Sequence, residues 1–395
     1  MEMMSKIKKI IMNSSYYKNK KYEKASDIKE LPIIDKKTAI DNYGTILSTN
    51  CIPDLYTYTS GSNGMPIKIP WNYDEYLKSL ATLWRLRACN GINPRVFYLT
   101  CHAEFDVLGR KVDNAVIIKP GYISFSKLEY SKEIYQEYLK AIRTFKPKWL
   151  HVQPSFAYYL GEYMCKYAPD IVGQIQYIEL VGELLPDSLK YSISDLFYNA
   201  KIINMYGMQE FNGIMYESNG ALREIKENVY VEILDNDGYD CGYQKEGNIV
   251  VTGLHNSFFP LIRYNTKDRG MRVKCNNENG YIITSSKAND EFIWKGKKYD
   301  GSIFMIIINE YNKQNERIIT QFQVTYYKKI LTFNLWGENL PQSENEIESV
   351  LKKIMYERFG IEIEITVKKC ISHNDFVRGR NKIKYFINKE SEGLR

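Results

Sequence analysis

The sequence predicts an α/β protein with a large N-terminal domain and a small α+β lid domain at the C-terminal end. Three observations carry that prediction. Apolar strand segments alternate with amphipathic helical segments between about residues 74 and 204, at the spacing of βαβ units. After Gly220 the helices give way to strands joined by polar turns such as 235–238, which adds a β-rich subdomain to the mixed sheets of the large domain. A β-β-α-β order then closes the chain. With 395 residues and 44% hydrophobic content, the chain exceeds what one core usually holds. The expected domains are 1–287 and 288–395.

Each element follows from its own pattern. Residues 1 to about 50 read as basic and helical, with a turn at Leu31 and Pro32. Residues 55–59 are rich in strand formers, and 67–69 alternate apolar and polar, so the segment between them joins two strands. Residues 74–90 place Tyr76, Leu80, Leu83, Trp84 and Ala88 at helical spacing, a core-facing stripe. Residues 96–100 read as a buried strand, and 133–145 as an amphipathic helix ended by Pro147. The segment 149–153 is strand-like, and Pro154 opens a helix toward Tyr167. Short apolar strands at 175–181 and 201–204 flank a helix near 187–197. Strands follow at 229–234, 247–253 and 281–284. The last module carries strands at 321–327 and 330–336, a helix at 343–359 and a strand at 361–368.

Composition narrows the function. The net charge is +7, but acids and bases are interleaved, and the 33 tyrosines are spread evenly. No basic stripe with stacking aromatics stands out, so nucleic acid is not an expected partner. No apolar run approaches the length of a membrane span, so no membrane partner is expected either. Seven cysteines are scattered without a Cys-x-x-Cys, which fits a reduced, cytoplasmic protein, and the four histidines lack metal-ligand spacing.

The chemistry is concentrated in four segments. The first is Tyr58-Thr59-Ser60-Gly61-Ser62-Asn63-Gly64-Met65-Pro66. Its glycines permit positive φ, so backbone N–H groups and hydroxyls can turn inward around an anion. It lacks the Gly-Lys-Ser/Thr of a Walker loop, so it is a different phosphate grip. The others are 179–184, with Gly182 and Glu183; 204–210, with Asn204, Tyr206, Gly207 and Glu210; and 260–268, ending at Asp268.

In this order the four segments resemble the motifs of the adenylate-forming superfamily. The first is similar to its Thr-Ser-Gly-Ser/Thr-Thr-Gly-x-Pro signature, the third to Tyr-Gly-x-Thr-Glu, and the fourth to Tyr-Arg-Thr-Gly-Asp. The resemblance runs from about Leu31 to Asn388 and is nearest to the phenylacetate–CoA ligase and CapK-like branch. It implies an acid–thiol ligase that uses ATP and Mg²⁺ to turn a small aromatic or polar carboxylic acid into an acyl-adenylate, releasing pyrophosphate. The acyl group would then pass to CoA or to the phosphopantetheine of an acyl or peptidyl carrier protein. An amine or hydroxyl acceptor in polysaccharide or natural-product synthesis is an alternative. A nucleotide-binding protein without turnover is another, and a homodimer is among the expectations.

The same resemblance assigns residues. Thr59, Ser60, Ser62 and Asn63, with Gly61 and Gly64, would hold the β- and γ-phosphates, and Lys68 is the nearby base. Gly182, Glu183, Asn204, Tyr206 and Gly207 would line the adenine. Asp268 would accept the ribose hydroxyls, because a carboxylate is acceptor-only. Glu210 would bind Mg²⁺, and Arg263 would be structural or part of the pocket wall. Ser286 to Asp290 is similar to the interdomain hinge, with Lys287 in place of an arginine expected on the ribose and Asn289 at the pivot. Lys382 aligns with the mobile catalytic lysine, with Lys384 as the competing choice. Tyr98, His102, Trp149, His151 and Met208 are available to line the acyl pocket.

Overall fold

The structure is a computed structural model that describes residues 2–392 apart from 20–21, 50–51, 60–66, 103–113, 127–131, 186, 286–290, 302, 316–318, 338–339, 372–374, 377, 380–381 and 384. The chain opens with short helices α1 (Glu2–Ile11), α2 (Ser15–Asn19), α3 (Lys36–Asp41) and α4 (Tyr43–Ile46). Next comes an antiparallel hairpin of β1 (Leu55–Tyr58) and β2 (Lys68–Trp71), which brackets the glycine-rich segment as expected. The long helix α5 (Tyr73–Cys89) starts at Asn72, whose side chain accepts from the N–H groups of Asp74 and Glu75.

The α/β core follows: β3 (Tyr98–His102), β4 (Val116–Lys119), β5 (Tyr122–Ser126), α6 (Lys132–Phe145), β6 (Trp149–Val152), α7 (Pro154–Tyr167), α8 (Pro169–Val172), β7 (Tyr177–Val181), α9 (Asp187–Leu196) and β8 (Lys201–Met208). The strand-only region adds β9 (Asn212–Ser218), β10 (Ala221–Glu224), β11 (Val229–Leu234), β12 (Glu246–Gly253), β13 (Tyr264–Cys275) and β14 (Glu278–Ser285).

These strands form one twelve-stranded sheet, ordered β11-β12-β13-β14-β10-β9-β8-β7-β6-β3-β5-β4. Strands β5, β3, β6, β7 and β8 pair in parallel, and the remaining ladders are antiparallel. The β-rich region is therefore continuous with the parallel core. Strand β8 runs to Met208, past the expected end at 204, because β9 turns back at once and supplies a partner ladder. Gly207 permits that turn: a Cβ there would come within 2.5 Å of the Asn212 carbonyl oxygen.

The two faces of the parallel strands are covered differently. One packs Leu150, Val152, Ile178 and Leu180 against Tyr138, Phe156 and Leu160 of α6 and α7. The other packs Trp149, Tyr177 and Ile203 against Leu83 of α5. This alternation places neighbours in the strand sequence on opposite faces. Each large apolar side chain buried in this way contributes about 1.5–3 kcal/mol.

The C-terminal domain holds the hairpin β15 (Glu291–Trp294) and β16 (Lys297–Asp300), helix α10 (Ile303–Gln314), β17 (Ile319–Tyr327), β18 (Ile330–Gly337), α11 (Glu344–Phe359) and β19 (Glu364–Lys369). It ends with the two-residue strands β20 (Arg378–Gly379) and β21 (Lys382–Ile383), then β22 (Phe386–Asn388) and α12 (Lys389–Glu392). Its four-stranded sheet has the order β19-β18-β17-β22. The hairpin, α10 and β22 were not legible in the sequence. The hydrophobic run of α10 is short and nearly uniform, so it lacks a diagnostic period. Among the described residues, no helix is long and apolar enough to cross a membrane.

Candidate active site

The first half of the site is built where the N-terminal segment is zipped onto β13. The Ile34 N–H donates to the Arg263 carbonyl at 3.0 Å, and the Asn265 N–H donates to the Ile34 carbonyl at 2.7 Å. Asp35 caps α3 through the Thr38 N–H at 2.9 Å and pairs with Lys267 at 3.1 Å. This docking delivers Lys36 to the base of the glycine-rich segment, where its Nζ donates to Thr59 Oγ1 at 3.2 Å. Burial lowers the Lys36 pKa, and the nearby Glu210 charge opposes that shift.

Thr59 is itself fixed by the Ile67 N–H, which donates to its hydroxyl at 2.9 Å. The hairpin is tied to the motif after β8, because Thr57 Oγ1 donates to the Gln209 carbonyl at 3.1 Å. Glu210 is buried and accepts from the Tyr264 hydroxyl at 3.3 Å. Lys68, the base picked out in the sequence, sits on the other face of the hairpin. It pairs across the ladder with Tyr58, and its Nζ lies 3.7 Å from the centroid of the Tyr56 ring. Strand alternation explains the difference: Thr57, Thr59 and Ile69 share the inward face, while Lys68 does not.

Tyr206, from the end of β8, donates its hydroxyl to Asp268 Oδ2 at 2.7 Å. Burial, with Asp268 next, pushes the Tyr206 phenol well above its ordinary pKa, so it remains a donor. Asp268 is buried, and its N–H donates to Thr266 Oγ1 at 3.1 Å. Gly182, at φ +82°, ends β7 at the carboxyl edge of the parallel strands. Ligands in open α/β sheets bind along that edge. Glu183 accepts from the Ser155 N–H at 3.1 Å and so caps α7. The Asn204 N–H donates to Glu217 Oε2 at 2.7 Å. Beside Gly182, the buried Oε1 of Gln153 has no hydrogen-bond partner among the described residues.

The structure therefore gathers Thr59, Tyr206, Gly207, Glu210 and Asp268, and sets Gly182 and Glu183 at the neighbouring strand end. Ser60, Gly61, Ser62, Asn63, Gly64 and Lys287 lie outside the described residues. So do Asn289 and Lys384. Lys382 is described in backbone only, paired with Gly379. Arg263 is structural: it forms a two-point ion pair with Glu232, with nitrogen–oxygen distances of 3.1 and 3.0 Å, and also donates to the Lys29 and Leu31 carbonyls.

A second polar cluster lies on the α5-covered face and was not anticipated. Glu179, fully buried in mid-β7, accepts from Arg87 Nε at 3.0 Å and Nη2 at 2.6 Å, from His151 Nδ1 at 2.7 Å and from the Tyr216 hydroxyl at 3.0 Å. Tyr177 bonds Tyr216 in turn. The Arg87 guanidinium lies over the rings of Trp84 and Trp149, at 4.7 and 5.2 Å from their centroids. Burial alone would raise the Glu179 pKa, but His151 and Arg87 outweigh it and hold it at about 2. Among the expected acyl-pocket residues, Trp149 is buried core stacked on Tyr98, with ring centroids 4.5 Å apart. His102 is bonded to Ser124 and to the Asn114 carbonyl, at 2.9 and 3.1 Å.

No three His, Cys, Asp or Glu side chains among the described residues converge as a metal cage. A single buried carboxylate such as Glu210 fits Mg²⁺ held jointly with phosphates and waters.

Fold and site together fit a nucleotide-handling α/β enzyme in which the glycine-rich segment is bracketed by a hairpin rather than by a strand and a helix. The chain belongs to the AMP-binding enzyme family, whose family model matches residues 53–257. The fold is similar to that of 2-hydroxyisobutyryl-CoA ligase in a postadenylation state with an acyl-AMP. The TM-score is 0.70 at 15% identity, over 99% of this chain and 90% of that one. It is also similar to McyG A-PCP with phenylalanyl-adenylate, at TM-score 0.57 and 12% identity over 88% and 67% of the two chains. The anthranilate CoA ligase AuaEII with anthranoyl-AMP gives a TM-score of 0.53 at 14% identity, over 83% and 65% of the two chains. No curated protein sequence matches the chain.

Proposed function

We propose that this enzyme joins a small carboxylic acid to AMP at the expense of ATP and then passes the acyl group to a thiol, CoA or a carrier-protein pantetheine. The observation that carries the reading is the convergence of Lys36, Thr59 and Glu210 beside the Tyr206–Asp268 pair, within a family of AMP-binding enzymes. Adenylation develops negative charge around the α-phosphate as pyrophosphate departs, so fixed cations and donors accelerate it. Lys36 and Thr59 would meet the phosphates. Mg²⁺ held by Glu210 would neutralise phosphate charge. Asp268, oriented by the Tyr206 hydroxyl, would accept from the ribose, and the adenine would lie along Gly182 and Tyr206.

The solved relatives support the acid and thiol halves: their names include acyl-AMP complexes, a CoA-bound thioesterification state and a carrier-protein fusion. The phenylacetate–CoA ligase and CapK-like branch is the subgroup proposed from the sequence motifs. The proposed boundary falls near 287, with residues 288–395 swinging as a lid that carries Lys382.

The test is ATP–pyrophosphate exchange over a library of acids, followed by Lys382→Ala. Exchange with at least one acid is expected, and the variant should reduce it by about 10²-fold. Thioester formation from pre-made acyl-AMP should be spared. Exchange with no acid would overturn the reading, and unchanged exchange in the folded variant would remove Lys382 from it.

A further inference from the structure

We propose that His151 is the specificity-determining residue for the acid, and that it reads a hydroxyl group on the acyl chain. The inference rests on the acid-activating reading above and names the class of acid. Strands β3, β6 and β7 are in register so that Thr100, His151 and Glu179 form one row across the sheet. Tyr98, Trp149 and Tyr177 form the row below, packed solid by α5. Gly182, at the nucleotide end, lies three residues beyond Glu179. At about 3.3 Å per strand residue, the row is roughly 10 Å from that end, the depth of a small acyl group. An acyl group reaching that depth would meet a polar row rather than an apolar one.

The hydrogen bonding fixes what the floor offers. A carboxylate only accepts, so the proton between His151 and Glu179 sits on His151 Nδ1. The Glu179 charge is already met by the two-point bond from Arg87, and its remaining capacity by Tyr216. Glu179 and Arg87 are thus positioning residues that lock the ring. The His151 side chain is nevertheless 29% exposed, whereas that of Glu179 is 0% exposed. With Nδ1 turned to Glu179, Nε2 lies on the opposite side of the ring. Nε2 accepts when the ring is neutral and donates when it is charged. A hydroxyl, which both donates and accepts, satisfies it in either form, whereas a hydrocarbon would bury it unpaired.

The experiment compares matched acids on the full-length enzyme by pyrophosphate release: 3- and 4-hydroxybenzoate against benzoate, lactate against propionate, and 3-hydroxybutyrate against butyrate. The hydroxylated member of at least one pair should be favoured in kcat/KM by tenfold or more, on the order expected for a site built to bond a substrate hydroxyl. In His151→Phe the ratio should fall toward one, and in His151→Gln, which keeps an acceptor, part of it should return. A purely structural role would lower both members alike and leave the ratio unmoved, which would overturn the proposal. Equal use of both members of every pair by the unmodified enzyme would overturn it without any variant, while leaving acid activation standing. Release with no acid at all would remove the acid-activating reading and this inference together.

Discussion

Among the described residues two arginine–glutamate pairs are buried, and they differ in what else surrounds the carboxylate. Arg263 and Glu232 are both 6% exposed and face each other with two bonds, and the spare guanidinium N–H groups go to the carbonyls of Lys29 and Leu31. Every group in that cluster is structural: it fastens the N-terminal segment to β13. Arg87 and Glu179 repeat the geometry, but the third donor there is His151, whose ring is partly open. The same pair type thus serves as a closed fastening in one place and as the support for a partly exposed ring in the other. A buried ion pair contributes little net stability and costs a great deal when halved. What distinguishes a functional pair is the group it orients.

The largest expected effect breaks the closed pair. Glu232→Ala leaves Arg263 charged and unpaired inside the protein, a loss of about 3–5 kcal/mol by urea unfolding. The hydroxyl preference of the protein that remains folded should not change. Glu179→Ala should cost a similar amount of stability and also erode that preference. If both variants left selectivity intact, the contrast between the pairs would fail.

The next effect sharpens what the closed pair is for. Arg263 and its neighbours fix the segment that delivers Lys36, so Lys36→Met should lower ATP–pyrophosphate exchange by about 10²-fold. Its unfolding midpoint should move little, because the lysine is not part of the core. Lys68→Met, on the far face of the hairpin, should exchange at nearly the rate of the unmodified enzyme. Equal losses in the two variants would mean that the cation at the phosphate grip is not Lys36.

What could be read from the sequence follows the same division. The clustering of the proposed nucleotide end is legible because its motifs are local: Thr59, Tyr206, Glu210 and Asp268 lie in short segments whose order and wording suggest the role proposed for them. The helices α5, α6, α7 and α11 were placed within about two residues, because each has a clear period and capping residues or a flanking proline. The Lys36 contact and the Glu179 cluster were not legible. Lys36 is 23 residues from Thr59, and Arg87 is 92 residues from Glu179. Only the docking of Ile34 onto β13 and the packing of α5 over β7 bring them together. One signal was available: Glu179 is an acid inside an apolar strand, and a buried charge demands a partner.

The smallest effect, and the one that tests the two pairs against each other directly, is their opposite response to acid. Glu179 is held at about 2 against an ordinary value of 4.5, because His151 and Arg87 outweigh the upward push of burial. The unfolded chain therefore binds the proton more readily, and the stability contributed by this group is full above about 4.5 and is lost as pH falls through about 2. Glu232 is raised, because burial outweighs Arg263. The folded chain takes up that proton first, so its contribution rises as pH falls toward the ordinary carboxylate range. Urea midpoints measured from pH 6 to pH 3 should show the difference by subtraction. Glu179→Gln should flatten the acid-side loss seen in the unmodified enzyme, while Glu232→Gln should steepen it by removing the opposing contribution. Identical pH slopes in the two variants would show that the pairs sit in equivalent environments. The third partner, His151, would then not be what sets Glu179 apart.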